Sequence, residues 1–187
     1  MNEADFINQL TSKKHREKAF AKLLDLYQER LYWQIRKLVG THENADDVLQ
    51  NTFIRVYRSL ENFKQQSSLH TWMYKIAYNE SMRFLEKEKK KSFSSLTDVS
   101  DKYLGDLKDD VFFDGDEAQL KLQQVLSDLP EKQKQVFQMK YYDNLKFREI
   151  SDILKIKEGT IKTHYYSAVK HIENNITAVA YVEKIKA

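Results

Sequence analysis

At 187 residues and 22.3 kDa the chain has room for one ordinary domain or two small ones, and four glycines and one proline beside 41% apolar residues favour helices over a turn-rich β protein. The absence of cysteine excludes a disulfide framework, a thiolate zinc site and a cysteine nucleophile, and permits a reducing cytoplasm. The net charge of +3 is unevenly spread: residues 1–92 carry 17 Lys/Arg against 12 Asp/Glu and residues 118–187 carry 12 against 8, whereas residues 93–117 carry two lysines against eight acids.

The opening MNEADFINQLTSKKHREKAF has no apolar signal core, and no later run approaches the roughly 20 apolar residues a bilayer crossing needs. A soluble, cytoplasmic protein without membrane insertion is expected. From about Arg16 to Val39 the residues Phe20, Leu23, Leu24, Tyr27, Leu31, Ile35 and Leu38 recur every three or four positions, as one helix face requires. Gly40 is a plausible stop and Thr41 a cap for a second helix, whose buried stripe is Ala45, Val48, Leu49, Thr52, Phe53, Val56, Tyr57 and Leu60. Glu43, Asp46 and Asp47 suit the positive end of that helix. Polar ENFKQQSS interrupts the pattern, and Leu69, Trp72, Met73, Ile76, Ala77 and Phe84 resume it in a third helix that ends the first module at about residue 92.

Residues 93–117 show no sustained period and read as a flexible acidic linker between two polyanion-binding modules. Helical patterning returns over about 118–129, and Pro130 with Glu131 suits the first turn of a helix running to Tyr142. A short helix, Phe147 to Leu154, is followed after IKEG by a longer one from Thr160 to about Ile176, with Ile161, Tyr165, Ala168 and Ile172 on its inner face and a tail that extends it. A short helix, a tight turn and a longer helix make a helix-turn-helix in a second module, residues 118–187. The fold class is all-α, two small helical domains.

On the last helix Thr160, Thr163, Ser167, Lys170 and Asn174 share an outward stripe, with Tyr166 and Lys162 beside it. Short donors and acceptors meet base edges and the flanking cations meet phosphates. In the first module aromatic, amide and basic residues gather around the polar loop from Phe63 through Trp72 to Arg83, a composition suited to unpaired DNA. Trp72 and Ile76 also lie on the apolar stripe, so Trp72 reads first as core. His15, His42 and His70 fall in separate segments, and His164 and His171 lack the carboxylates of a metal site, so no metal and no cofactor are expected. Without a phosphate-cradling glycine loop, a serine elbow or an acid/base pair, the sequence reads as a binding protein and not an enzyme.

Residues 19–85 resemble the first conserved domain of extracytoplasmic function sigma factors, subunits of bacterial RNA polymerase, and residues 129–172 resemble their last one. The resemblance covers about three fifths of the chain and rests on ADDVLQNTF, the TW-xx-KIAYN run and EGTIKT occurring in that order. In that family the helix bearing DDVLQNTF docks on a coiled coil of the large polymerase subunits, the following loop captures a flipped base of the minus-ten element, and the last helix reads the minus-thirty-five element as duplex. The resemblance thus implies core RNA polymerase and promoter DNA as partners, with an anti-sigma factor as a further one. It assigns polymerase docking to Asp46, Asp47, Leu49, Gln50, Phe53 and Ile54. Minus-ten contacts fall to Phe63, Lys64, Gln65, Gln66, Ser67, Ser68, His70, Lys75 and Asn79, and minus-thirty-five contacts to Lys140, Phe147, Lys162, Thr163, Tyr166 and Ser167.

The chain departs from the family at the turn, where Lys155 and Lys157 stand in place of common Gly and Ser, and in the last helix, where His164 and Ser167 replace frequent arginines. An ordinary helix-turn-helix regulator, binding duplex by itself, is the main alternative, since EGTIKTHYYSAVKHI also resembles the DNA-binding end of response regulators. The helical N-terminal half argues against it, because a receiver domain alternates strands and helices. A purely protein-binding adaptor would leave both basic faces idle.

Overall fold

The computed structural model describes residues 3–91, 122 and 124–186, with side chains over 3–90, 122 and 124–175. The chain divides into two compact units, residues 1–110 and 111–187. The linker expected over 93–117, and residues 118–121 and 123 of the helix expected over 118–129, lie outside the described residues. Among the described residues there is no strand, and no helix is long and apolar enough to cross a membrane.

The first unit contains α1 (Glu3–Thr11), α2 (Arg16–Val39), α3 (His42–Ser59), a 3₁₀ turn at Leu60–Asn62 and α4 (Leu69–Lys91). Three of these helices are the expected ones; α1 is additional. Its Phe6, Ile7 and Leu10 are buried with Ala19, Leu23, Leu31, Ile35 and Val39 of α2, Ala45, Val48 and Val56 of α3, and Leu69, Met73 and Ala77 of α4. Nine residues are too few for a helix to persist alone, so it is this burial that holds α1 in place. Gly40 ends α2 at φ 85, a conformation glycine adopts without a Cβ penalty, and its N–H closes on the Arg36 carbonyl at 3.1 Å. Thr41 then caps α3 by accepting the Asn44 N–H at 3.2 Å. Inside the core, buried Thr52 returns its hydroxyl to the Val48 carbonyl at 2.7 Å, so its polar group is satisfied within its own helix.

The second unit holds a helical turn over 124–127, then α5 (Glu131–Tyr141), α6 (Phe147–Leu154) and α7 (Glu158–Lys186). Pro130 stands just before α5 with ψ 138, outside the first turn and not in it. The tail extends α7, which starts two residues ahead of the expected Thr160. Val125, Leu126, Leu129, Phe137, Ala168 and Ile172 form one buried cluster, with Tyr165 half-buried at its edge. Ile150 and Ile153 of α6 and Ile161 of α7 are also buried, so the short helix lies against the long one as a helix-turn-helix demands. Ser151 fastens the turn by donating to the Ile156 carbonyl at 2.6 Å, and Lys155 bends it in the left-handed conformation, φ 59 and ψ 35.

Candidate nucleic-acid interface

Because Ala45, Val48, Thr52 and Val56 turn one side of α3 into the core, the opposite side must face out. Leu49, Phe53, Asp46, Gln50, Ile54 and Asp47 follow one another around that side within an arc of about 160°. Asp46, Asp47 and Gln50 are exposed, and Ile54 leaves 44% of its surface open. Leu49 and Phe53 are half-buried at the margin, where the Phe53 ring meets Phe20 edge-on at 6.4 Å. The face is therefore a mixed strip: Asp46 and Gln50 lie between the edges of Leu49 and Phe53 on one side and Ile54 on the other, with Asp47 beyond Ile54. Thr41, and neither aspartate, is the capping acceptor of this helix.

The polar loop is pinned at both ends. Phe63 is buried with its ring 4.8 Å from that of Trp72, and Leu69 is fully buried; between them Lys64, Gln65, Gln66 and Ser68 are exposed and Ser67 partly so. Phe63 thus supports the loop from beneath and offers no open ring face. Gln65 holds φ 54, the left-handed region, which bends the loop outward at a non-glycine residue. Ser68 belongs to the helix as much as to the loop: its Oγ accepts the Thr71 N–H at 3.1 Å and its carbonyl takes the Trp72 N–H at 3.1 Å.

Along α4 the half-buried Trp72 and Lys75 and the exposed Asn79 follow at spacings of three and four, one outward line continuing from the loop. His70 does not join them. It lies on the other side of α4, nearly parallel to the Tyr27 ring at 6.3 Å and close to Tyr74 at 6.1 Å. Burial, with the Glu3 charge nearby, pushes the Tyr27 hydroxyl above its ordinary 10.0. Further along, half-buried Glu80 bridges α3 and α4: its carboxylate lies 2.6 Å from Arg55 and 2.5 Å from Arg83.

In the second unit Lys140, Phe147, Lys162 and Tyr166 come together from three helices. The Phe147 ring has the Lys140 ammonium at 5.2 Å and the Lys162 ammonium at 5.9 Å, with the Tyr166 ring centred 6.3 Å away. Tyr166 is 61% exposed, and Thr163 and Ser167 are also exposed. The Thr163 hydroxyl donates to the Gly159 carbonyl at 3.1 Å, which commits its proton to the helix and leaves the side chain with its methyl and an oxygen that can only accept. Lys162 pairs with Glu158 one turn back at 2.7 Å, and that hydrogen bond and charge raise its pKa above 10.5. Glu158 was missed by sequence reasoning, although the Glu-to-Lys spacing of four is a sufficient signal.

Comparison with known proteins matches segments of both units to one family. Residues 23–91 match Sigma-70 region 2 and residues 119–172 match Sigma-70, region 4. The chain is 31% identical over 162 residues to the ECF RNA polymerase sigma factor SigW of Bacillus subtilis, covering 82% of this chain and 87% of that protein. The chain belongs to the extracytoplasmic function sigma factors. The sigma-E factor of Haemophilus influenzae is 27% identical over 168 residues, 86% of this sigma factor and 88% of its relative. Among solved structures, the fold matches the sigma factor RpoE of Bartonella quintana, crystallised with the anti-sigma factor NepR, at a TM-score of 0.66 and 20% identity over 86% of this chain and 98% of that one. It also matches CnrH, solved with the cytosolic domain of CnrY, at a TM-score of 0.63 and 14% identity over 94% and 97%.

Proposed function

We propose that this sigma factor binds core RNA polymerase through the outer face of α3, holds the melted minus-ten strand with the loop 64–68 and the outward line of α4, and reads the minus-thirty-five duplex with α7. The observation that carries the proposal is the arrangement of the first unit: a single helical core presents a strip of alternating apolar and polar groups on α3 and an exposed polar loop leading into Trp72, Lys75 and Asn79 on α4. The strip suits another protein's helix, because Ile54 and the edges of Leu49 and Phe53 supply area while Asp46, Asp47 and Gln50 fix its register. The loop suits exposed bases, since amides reach base edges, Lys64 and Lys75 follow phosphates, and the half-buried Trp72 adds apolar contact surface.

In the second unit Lys140 and Lys162 flank the groove-facing set. Thr163 meets a thymine methyl with its own methyl, while Tyr166 and Ser167 contribute hydroxyls. The same family reading makes the protein a cytoplasmic factor that acts by binding and not by catalysis, with residues 93–117 as the tether between its domains and an anti-sigma factor as a further partner. Docking is tested by Asp47→Lys and Gln50→Lys, both on exposed positions. Each is expected to weaken association with core polymerase at least about tenfold, a loss of roughly 1.4 kcal/mol, with native helicity by circular dichroism. Variants that bind core and drive transcription normally would remove α3 from the interface.

A further inference from the structure

The first amide of α4 is satisfied from the far end of the unit. Leu69 donates its N–H to Glu3 Oε1 at 3.2 Å, across 66 positions of sequence. Ser68 supplies the neighbouring acceptors, its Oγ to Thr71 and its carbonyl to Trp72. Glu3 opens α1, and α1 is anchored by buried Phe6, Ile7 and Leu10. The carboxylate is thus mounted on a fixed element, and it sits where the positive end of α4 favours an anion. The match to Sigma-70 region 2 begins only at residue 23, so α1 lies outside it.

We propose that Glu3 is a positioning residue for minus-ten capture: through the Leu69 amide it fixes the junction of α4 with the loop 64–68, so that the loop side chains and the line through Asn79 are presented in register before DNA arrives. This inference rests on the minus-ten reading of the loop. Without the anchor the start of α4 frays, as helix ends with unsatisfied amides do, and the loop gains freedom that must be lost again on strand capture. α1 then acts as a brace for the DNA-facing loop while touching no DNA itself.

The test compares four full-length holoenzymes: the natural protein, Glu3→Ala, Glu3→Gln and a Lys64→Ala/Gln66→Ala loop variant. Promoter opening is followed by stopped-flow fluorescence, hydrogen exchange by the Leu69 amide, and core affinity by titration. Glu3→Ala is expected to open the promoter about fivefold more slowly, the rate equivalent of losing one capping bond, and to exchange Leu69 faster at unchanged core affinity. Glu3→Gln keeps an accepting oxygen and is expected to stay close to the natural rate, which separates loss of the hydrogen bond from loss of the charge, while the unchanged core affinity of Glu3→Ala separates a local effect from a general loss of the fold. If the loop variant opens normally, the minus-ten reading itself fails. If the loop variant is slow while Glu3→Ala is not, or if Glu3→Gln is as slow as Glu3→Ala, the role assigned to Glu3 is overturned.

Discussion

Lys155 occupies a backbone conformation that costs an L-residue about 1–2 kcal/mol and glycine almost nothing, yet the turn between α6 and α7 depends on it. Asn144, at φ 57, is the milder case, because asparagine tolerates the left-handed region. Lys155→Gly is therefore expected to stabilise the second unit by up to about 1 kcal/mol, once the greater freedom of unfolded glycine is deducted, and to raise its melting temperature in circular dichroism. A lower melting temperature would mean that the turn has another geometry. On α7 the residues divide by chemistry. Lys162→Ala is expected to weaken all promoter sequences alike and to flatten the salt dependence by close to one counterion per lost phosphate contact. Ser167→Arg, on the exposed groove-facing side, offers a guanine a bidentate partner worth about 1–3 kcal/mol and is expected to shift the preferred minus-thirty-five sequence. A promoter-library selection at two salt concentrations separates them; a shifted preference for Lys162→Ala beside an unshifted one for Ser167→Arg would show that a different side of α7 meets the groove.

The elements differ in how far their own residues announce them. α2 and α3 were legible because a long 3.6-residue period is punctuated by Gly40 and Thr41, whose turn and cap the structure realises, although Leu60, expected on the stripe of α3, falls in the 3₁₀ turn that follows it. α1 was not, since three apolar residues in nine give too short a period and its stability comes from distant partners on α2, α3 and α4. Leu10 measures that dependence. It is fully buried, and Leu10→Ala is expected to cost about 2–5 kcal/mol. Trp33 and Trp72, the chain's two tryptophans, both lie in the first unit, so denaturant unfolding followed by their fluorescence reads this loss without interference from the second unit. An unchanged midpoint would mean that α1 is not part of the core. His70 shows a different failing. The resemblance groups it with Lys75 and Asn79, but helical rotation sets it about 140° and 180° away from them, and it packs on Tyr27 instead.

At the scale of the whole molecule the two basic blocks in the sequence became two helical units, each with its own core and its own exposed polar face. The membership in the sigma family was legible because ADDVLQNTF, the TW-xx-KIAYN run and EGTIKT occur in that order. What stayed hidden was side-chain partnership between elements: that Phe63 supports the loop from below, and that Glu80, paired with Arg83 on its own helix, joins α4 to Arg55 of α3. Such pairings depend on how helices cross, which periodicity does not encode. The central claim is that polymerase and promoter are engaged by one chain, not that duplex is bound by a free regulator. Transcription from a randomised promoter library by core polymerase, with and without the protein, tests it most directly. The protein is expected to make core initiate from a set of sequences sharing two elements at a fixed spacing, and to select none of them by itself. Enrichment of a single duplex site by the protein without core, with no new initiation when core is present, would contradict it.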